Sequence, residues 1–74
     1  MVLTIKQEWA NGTTHTTKHN YTASRGRYQL SSMRSAVQFK VEEYPNGFKY
    51  ETPSHYCGNS GKCTTYVTLT RGWV

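Results

Sequence analysis

Hydrophobic and polar positions alternate along three stretches of this chain and shift to a longer period in one. In Val2–Trp9, Leu3, Ile5 and Trp9 fall on one side and Thr4, Lys6 and Glu8 on the other, the period of two that a half-buried strand requires. Asn11-Gly12 follows, a pair that tolerates positive φ, and predicts an antiparallel return over residues 13–22. That return is polar at Thr13, Thr14, His15, Thr16, Thr17, Lys18, His19 and Asn20, so it belongs at a sheet edge or on an exposed ribbon.

Over residues 24–38 the period changes. Leu30, Met33 and Val37 stand at i, i+3 and i+7, within about 60° of arc on a helix. The spacing predicts a short amphipathic helix with Ser24 as its N-cap, although Gly26 and the serines lower its propensity and residues 27–31 alone would also suit a strand. Residues 36–44 then alternate, with Val37, Phe39 and Val41 one way and Gln38, Lys40 and Glu42 the other. Pro45-Asn46-Gly47 turns the chain, residues 48–52 return, Pro53 ends that strand, and residues 54–62 form a loop. Residues 63–73 close the chain as a strand long enough to be central, with Cys63, Val67, Leu69 and Trp73 on one face and Thr64, Tyr66, Thr68 and Thr70 on the other.

Three apolar strand faces need a cover, and a helix carrying Leu30 and Met33 supplies it. The expected fold is α+β: a small antiparallel sheet of about five strands with one short helix packed on one face, in the order ββαβββ. Without the helix, the same faces would close on each other as an all-β rolled sheet or small barrel. The 74 residues make one domain, 1–74, able to hide about 60% of its surface. A core that thin excludes multidomain enzymes, nucleotide-driven machines and helical repeat arrays. Thr, Ser, Gly, Asn and Tyr fill a composition that is 35% hydrophobic and 18% charged, which favours strands.

No run approaches the roughly 20 apolar residues of a membrane span, and the start of the chain lacks the charged-then-apolar pattern of a secretory signal. The expected location is therefore cytoplasmic, with no membrane partner. Asn11-Gly12-Thr13 and Asn20-Tyr21-Thr22 match glycosylation sequons, which would matter only on a secretory route.

Charge changes the picture most. The chain has no Asp, four Glu and nine Lys plus Arg, for a net +5, and such a balance draws polyanions. Arg25, Arg27 and Arg34 lie within ten residues, and on a helix Arg27, Ser31 and Arg34 form one stripe beside the apolar arc. Guanidinium forks bind phosphate oxygens bidentately, and Tyr21, Tyr28, Tyr66 and Tyr56 offer rings for base stacking. The first reading is a non-enzymatic protein that binds DNA or RNA. Lys6, Lys18, Arg25, Arg27, Arg34 and Lys40 would be its phosphate contacts, and Tyr28 or Tyr66 its stacking platform. The ordinary alternative for the same residues is a solvated helix face with tyrosines bracing a sheet.

An acidic protein surface would attract the same charge. The second reading is thus a small inhibitor, of the type phages and mobile elements use to block a host enzyme or defence complex, with residues 13–22 as its exposed ribbon. A third is a secreted, disulfide-stapled antimicrobial or toxin. Its one bridge would join Cys57 to Cys63 across a short ring, worth about 2 kcal/mol, whereas small secreted scaffolds carry several.

Chemistry beyond binding finds little support. His55 with Cys57 and Cys63 gives His-x-Cys-x₅-Cys, which His15 or His19 could complete, but the tight Cys knuckle of a zinc site is missing, so no metal is expected. Gly58, Gly61-Lys62 and Thr64 have the residue types of a phosphate-binding loop without its spacing, and Cys63 takes the Ser/Thr slot. Of Glu8, Glu42, Glu43 and Glu51, three fall on expected hairpin strands where cross-strand lysines account for them, no nucleophilic Ser or Cys has a base near it in sequence, and His15 and His19 would stand about 13 Å apart on a strand. No catalytic residue and no cofactor are expected.

Overall fold

The computed structural model describes residues 1–53 and 61–73. The elements are β1 (Val2–Trp9), β2 (Thr14–Asn20), α1 (Ala23–Ala36), β3 (Val41–Tyr44), β4 (Gly47–Thr52) and β5 (Cys63–Thr70). The strands form one sheet in the order β2-β1-β5-β4-β3, with every neighbouring pair antiparallel. This is the α+β arrangement the period changes predict. The rolled all-β alternative is excluded, because the sheet is open, with β2 and β3 as its edges, and the helix forms and covers one face.

The register explains where the core sits. Leu3 faces Leu69, Ile5 faces Val67, and Val67 in turn faces Phe48 across the next ladder. Directly opposed residues of antiparallel strands share a side, so these side chains meet on one face. Leu3, Phe48, Val67 and Leu69 are its buried centre, and Leu30, Met33 and Val37 come down on it from the helix side. Gly26 is the only buried residue of α1. A Cβ there would lie 2.9 Å from Leu69 Cδ1, so the helix approaches β5 too closely for a side chain. The glycine that weakens helical propensity is the residue that lets the helix dock.

Local boundaries differ from the sequence expectation in ways the packing accounts for. The helix begins earlier, with Thr22 as N-cap in place of Ser24; its Oγ1 accepts from the Arg25 amide at 3.4 Å. At the other end Val37 leaves the helix with φ −72° and ψ 128°. The expected strand over 36–44 shrinks to β3, because Val37 completes the apolar stripe of α1 and Phe39 stacks on Tyr50 at 6.4 Å from the connection. Period two and period 3.6 coincide at residue 37, and helix packing takes the residue. Trp73 does not extend the apolar face of β5: it lies beyond the strand's last residue, past Gly72 at φ +109°, and is 70% exposed.

The first hairpin also turns differently. Of its Asn-Gly pair only Gly12 takes a positive φ. The Gly12 amide donates to the Trp9 carbonyl at 3.0 Å, and Asn11 Oδ1 accepts from the Thr13 amide at 2.9 Å. In the second hairpin Pro45-Asn46 bridges Tyr44 and Gly47, which face each other. No described helix is long and apolar enough to cross a membrane.

Two stability outcomes follow. Phe48→Ala empties the centre of the core and should cost about 3–5 kcal/mol, most of what a domain this small has to lose, so denaturant titration should find it largely unfolded near physiological temperature. Gly47→Ala pushes a methyl group into the backbone of β5 at Val67 and Thr68. It should cost roughly 1–3 kcal/mol and lower Tm by on the order of 10 °C in a thermal melt.

Candidate nucleic-acid interface

The face of the sheet opposite the helix carries the side chains that alternate with the core. Val2, at the start of β1, is buried on this face, whereas Thr4 and Tyr66 are half-exposed and Lys6 is exposed. Its cross-strand rows can be read from the register. One row runs Lys18, Thr4, Thr68, Gly47, Tyr44; the next runs Thr16, Lys6, Tyr66, Lys49, Glu42; the third runs Thr14, Glu8, Thr64, Glu51. Tyr66 therefore sits on the central strand with a lysine on either side, and Lys49 Nζ lies 5.8 Å from its ring centroid. Tyr44, at the β3 end of the first row, is 39% exposed.

Ion pairs decide which cations remain available. Lys6 pairs with Glu8 at 3.1 Å, Arg34 with Glu43 at 2.7 Å, Lys49 with Glu42 at 3.3 Å and Lys62 with Glu51 at 2.9 Å. All four glutamates are thus each committed to one cation. Lys18, Arg25, Arg27, Lys40 and Arg71 have no ion-pair partner among the described residues. Their placement is uneven. Val2 faces both Asn20 and Thr70, so the ends of β2 and β5 lie together, and α1 starts three residues after Asn20. Lys18, Arg25 and Arg71 therefore gather at one end of the sheet. Glu8 and Glu51 both face Thr64 near the opposite end, and Glu42 and Glu43 sit on the β3 edge.

The sequence-derived candidates split between two surfaces. Lys6, Lys18 and Tyr66 are on the open sheet face; Arg25, Arg27, Tyr28 and Arg34 are on the helix layer; Lys40 is in the connection to β3. Within the helix, Arg34 stands about 20° from Arg27, but Arg25 is about 160° away, so the three do not form a single ridge. Arg34 is also used structurally. It occupies the last turn, where a cation suits the helix dipole, and its guanidinium ties α1 to β3 through Glu43. Arg25 is the converse case. The first turn holds no acidic residue and Arg25 lies at its positive end, which helix stability alone disfavours. Tyr28 is 70% exposed.

Lys49, Tyr44 and Arg71 were not singled out from sequence. Lys49 alternates with Phe48 and Tyr50, but its position beside Tyr66 depends on β4 pairing with β5, which local pattern does not specify. The Lys49 ammonium is held above its usual range by hydrogen bonds to Glu42 and then to Tyr44, and by their charges. The Glu51 carboxyl is held below its usual range by its hydrogen bond to Lys62 and by that charge.

Other candidate chemistry is thin. Among the described residues no group of three His, Cys or Glu is placed to hold a metal ion. His15 Nε2 and Thr17 Oγ1 are 3.2 Å apart, on an edge strand open to water. Cys63 is buried on the helix side of the sheet, 3.9 Å from Thr65 Oγ1. The proposed Cys57–Cys63 bridge, and the readings of His55, Tyr56 and Gly58, involve positions outside the described residues. No family model matches the chain, and neither a curated protein nor a solved structure shows significant similarity to it.

The two shifted groups set a pH dependence. Glu51, lowered in the fold, adds stability that is present above the unfolded carboxylate pKa and lost as pH falls through its folded value. Lys49, raised, adds stability that is present below the unfolded ammonium pKa and lost as pH rises through its folded value. Thermal melts should therefore show a plateau near neutrality that declines below about pH 4. Glu51→Gln and Lys62→Ala should each flatten that acid limb.

Proposed function

We propose that this protein is a small, non-enzymatic module that binds nucleic acid. One observation carries the reading. Every carboxylate side chain is spent on one cation, and three of the five cations left over, Lys18, Arg25 and Arg71, gather at the end of the sheet farthest from Glu8 and Glu51. Charge segregated in this way is in no ion pair among the described residues, and Arg25 works against its own helix. A phosphate backbone laid along that end would meet Arg forks and a lysine with no glutamate side chain among them in the described residues, and exposed Tyr28 and Trp73 add apolar ring surface on the same molecule.

If about four phosphates are neutralised, log Kd should change with log salt with a slope near 3.6, so that affinity falls on the order of 100-fold between about 50 and 200 mM salt. Anisotropy titrations with labelled DNA and RNA check this. Arg25→Ala and Arg71→Ala should each reduce the slope by about 1, whereas Arg34→Ala, already paired to Glu43, should reduce it less. Absence of binding to any DNA or RNA at about 50 mM salt overturns the proposal.

The edge strand β2 supports a second reading as a protein-binding inhibitor. β1 is its one strand neighbour in the sheet, and it is exposed along nearly its whole length, so it could add to another protein's sheet. A stoichiometric protein partner that survives nuclease treatment and about 300 mM salt would favour this reading, since screening at that strength removes purely ionic capture.

A further inference from the structure

We infer that the open face of the sheet is a platform for single-stranded nucleic acid, which crosses the strands over the two rows that contain Tyr44 and Tyr66. The inference rests on the nucleic-acid reading above and names the substrate class and the surface.

Three features of the face argue for it. The first is shape. Tyr66 is half-buried on the middle strand between Lys6 and Lys49, whose Nζ lies 5.8 Å from its ring centroid, while the neighbouring Thr4, Thr68 and Thr64 are small and Gly47 next to Thr68 has no side chain. A ring presented like this on an open sheet can take a base on its face, and any base will do, because every base has a π-surface. A duplex keeps its bases stacked inside and cannot use such a ring without being opened.

The second feature is the charge along the rows. The row with Lys18 and Tyr44 carries +1, from Lys18. The row with Tyr66 also carries +1, from Lys6 and Lys49 against Glu42. The third row carries two carboxylates, Glu8 and Glu51, against which Lys62 at Glu51 is the one further cation, for −1. A polyanion is thereby steered onto the first two rows and away from the third, toward the end where Arg25 and Arg71 also stand. The path is perpendicular to the strands and spans about 19 Å from β2 to β3 at the usual strand spacing.

The third feature is the second ring. Tyr44 and Tyr66 are two strands and two residues apart, or about 12 Å between their backbones. Between them in the register stands Lys49, paired to Glu42 at 3.3 Å and with its Nζ 5.8 Å from the Tyr66 ring centroid. Its ammonium thus lies between the two rings, where a phosphate linking two bases would pass. Glu42 is the one carboxylate on this path, and a bound phosphate must compete with it for Lys49.

The test is an anisotropy titration of a labelled 15-nucleotide single strand and of the duplex of the same sequence, as DNA and as RNA, at about 50 mM salt. Single strands should bind at least tenfold tighter than duplex. Tyr66→Ala should weaken single-strand binding by about 10- to 100-fold with its salt slope unchanged, and Tyr66→Phe should keep most of the affinity. Tyr44→Ala, at the sheet edge, serves as a second variant with the core untouched and should lose about 3- to 10-fold. Glu42→Gln should tighten binding about threefold, and Glu51→Gln, the same change in net charge but off the path, clearly less. Duplex binding equal to or tighter than single-strand binding, or wild-type affinity in both tyrosine-to-alanine variants, overturns this inference. If Arg25→Ala and Arg71→Ala still lower the salt slope in that event, nucleic-acid binding itself stands; if nothing binds, both readings fall.

Discussion

The structure depends on the inner side of β5. Val67 and Leu69 are flanked by Leu3 and Ile5 on one neighbouring strand, and Val67 by Phe48 on the other, and α1 presses onto this row through the gap that Gly26 leaves over Leu69. The described residues hold one hydrophobic cluster, and a domain this small has little else to compensate if the row loosens. The helix has weak propensity in its own right, with a glycine and four serines in 14 residues. It persists because its few apolar side chains have this surface to cover, the usual source of helix stability in proteins.

Among the described residues one helix covers one face of the sheet, and the other face is left to polar side chains. The alternation that places Val67 and Leu69 inward places Thr64, Tyr66, Thr68 and Thr70 outward on the central strand, where a large protein would have buried them. Thr and Lys suit an uncovered sheet, and Lys18 on the edge strand discourages edge-to-edge pairing. The fold thus leaves a flat polar surface with one aromatic ring at its centre. The same two-layer economy puts the helix arginines on the far side of the molecule from that ring.

Electrostatic pairing then divides the cations into two kinds. Lys6, Arg34, Lys49 and Lys62 answer glutamates, within one strand, between helix and sheet, across a ladder and at the sheet end. These exposed pairs contribute little stability individually, and a partner's anion must compete with a glutamate for each of their cations. The unanswered cations remain as an oriented field. Its positive end lies where α1 begins and β2 and β5 finish.

The sequence by itself determined the element order, the two hairpins, the polar edge strand and several apolar residues of the core, but not Phe48 or Val2. Each of these follows from a period of two or 3.6 and from turn residues, which act over a few neighbours. Only the tertiary structure decided that Thr22 caps the helix, that Val37 belongs to it, that Trp73 stands outside the core and that Gly26 is a contact surface. The composition of the candidate site was legible in the same partial way. Basic residues and tyrosines are visible in the chain, but whether Arg34 is paired, whether Arg25 and Arg27 share a face, and whether Tyr66 has Lys49 beside it depend on partners 9 to 17 residues distant or on helical phase. The crossing that inserts β5 between β1 and β4 brings the first and last strands side by side. That pairing joins residues about 60 positions apart, and no local pattern encodes it.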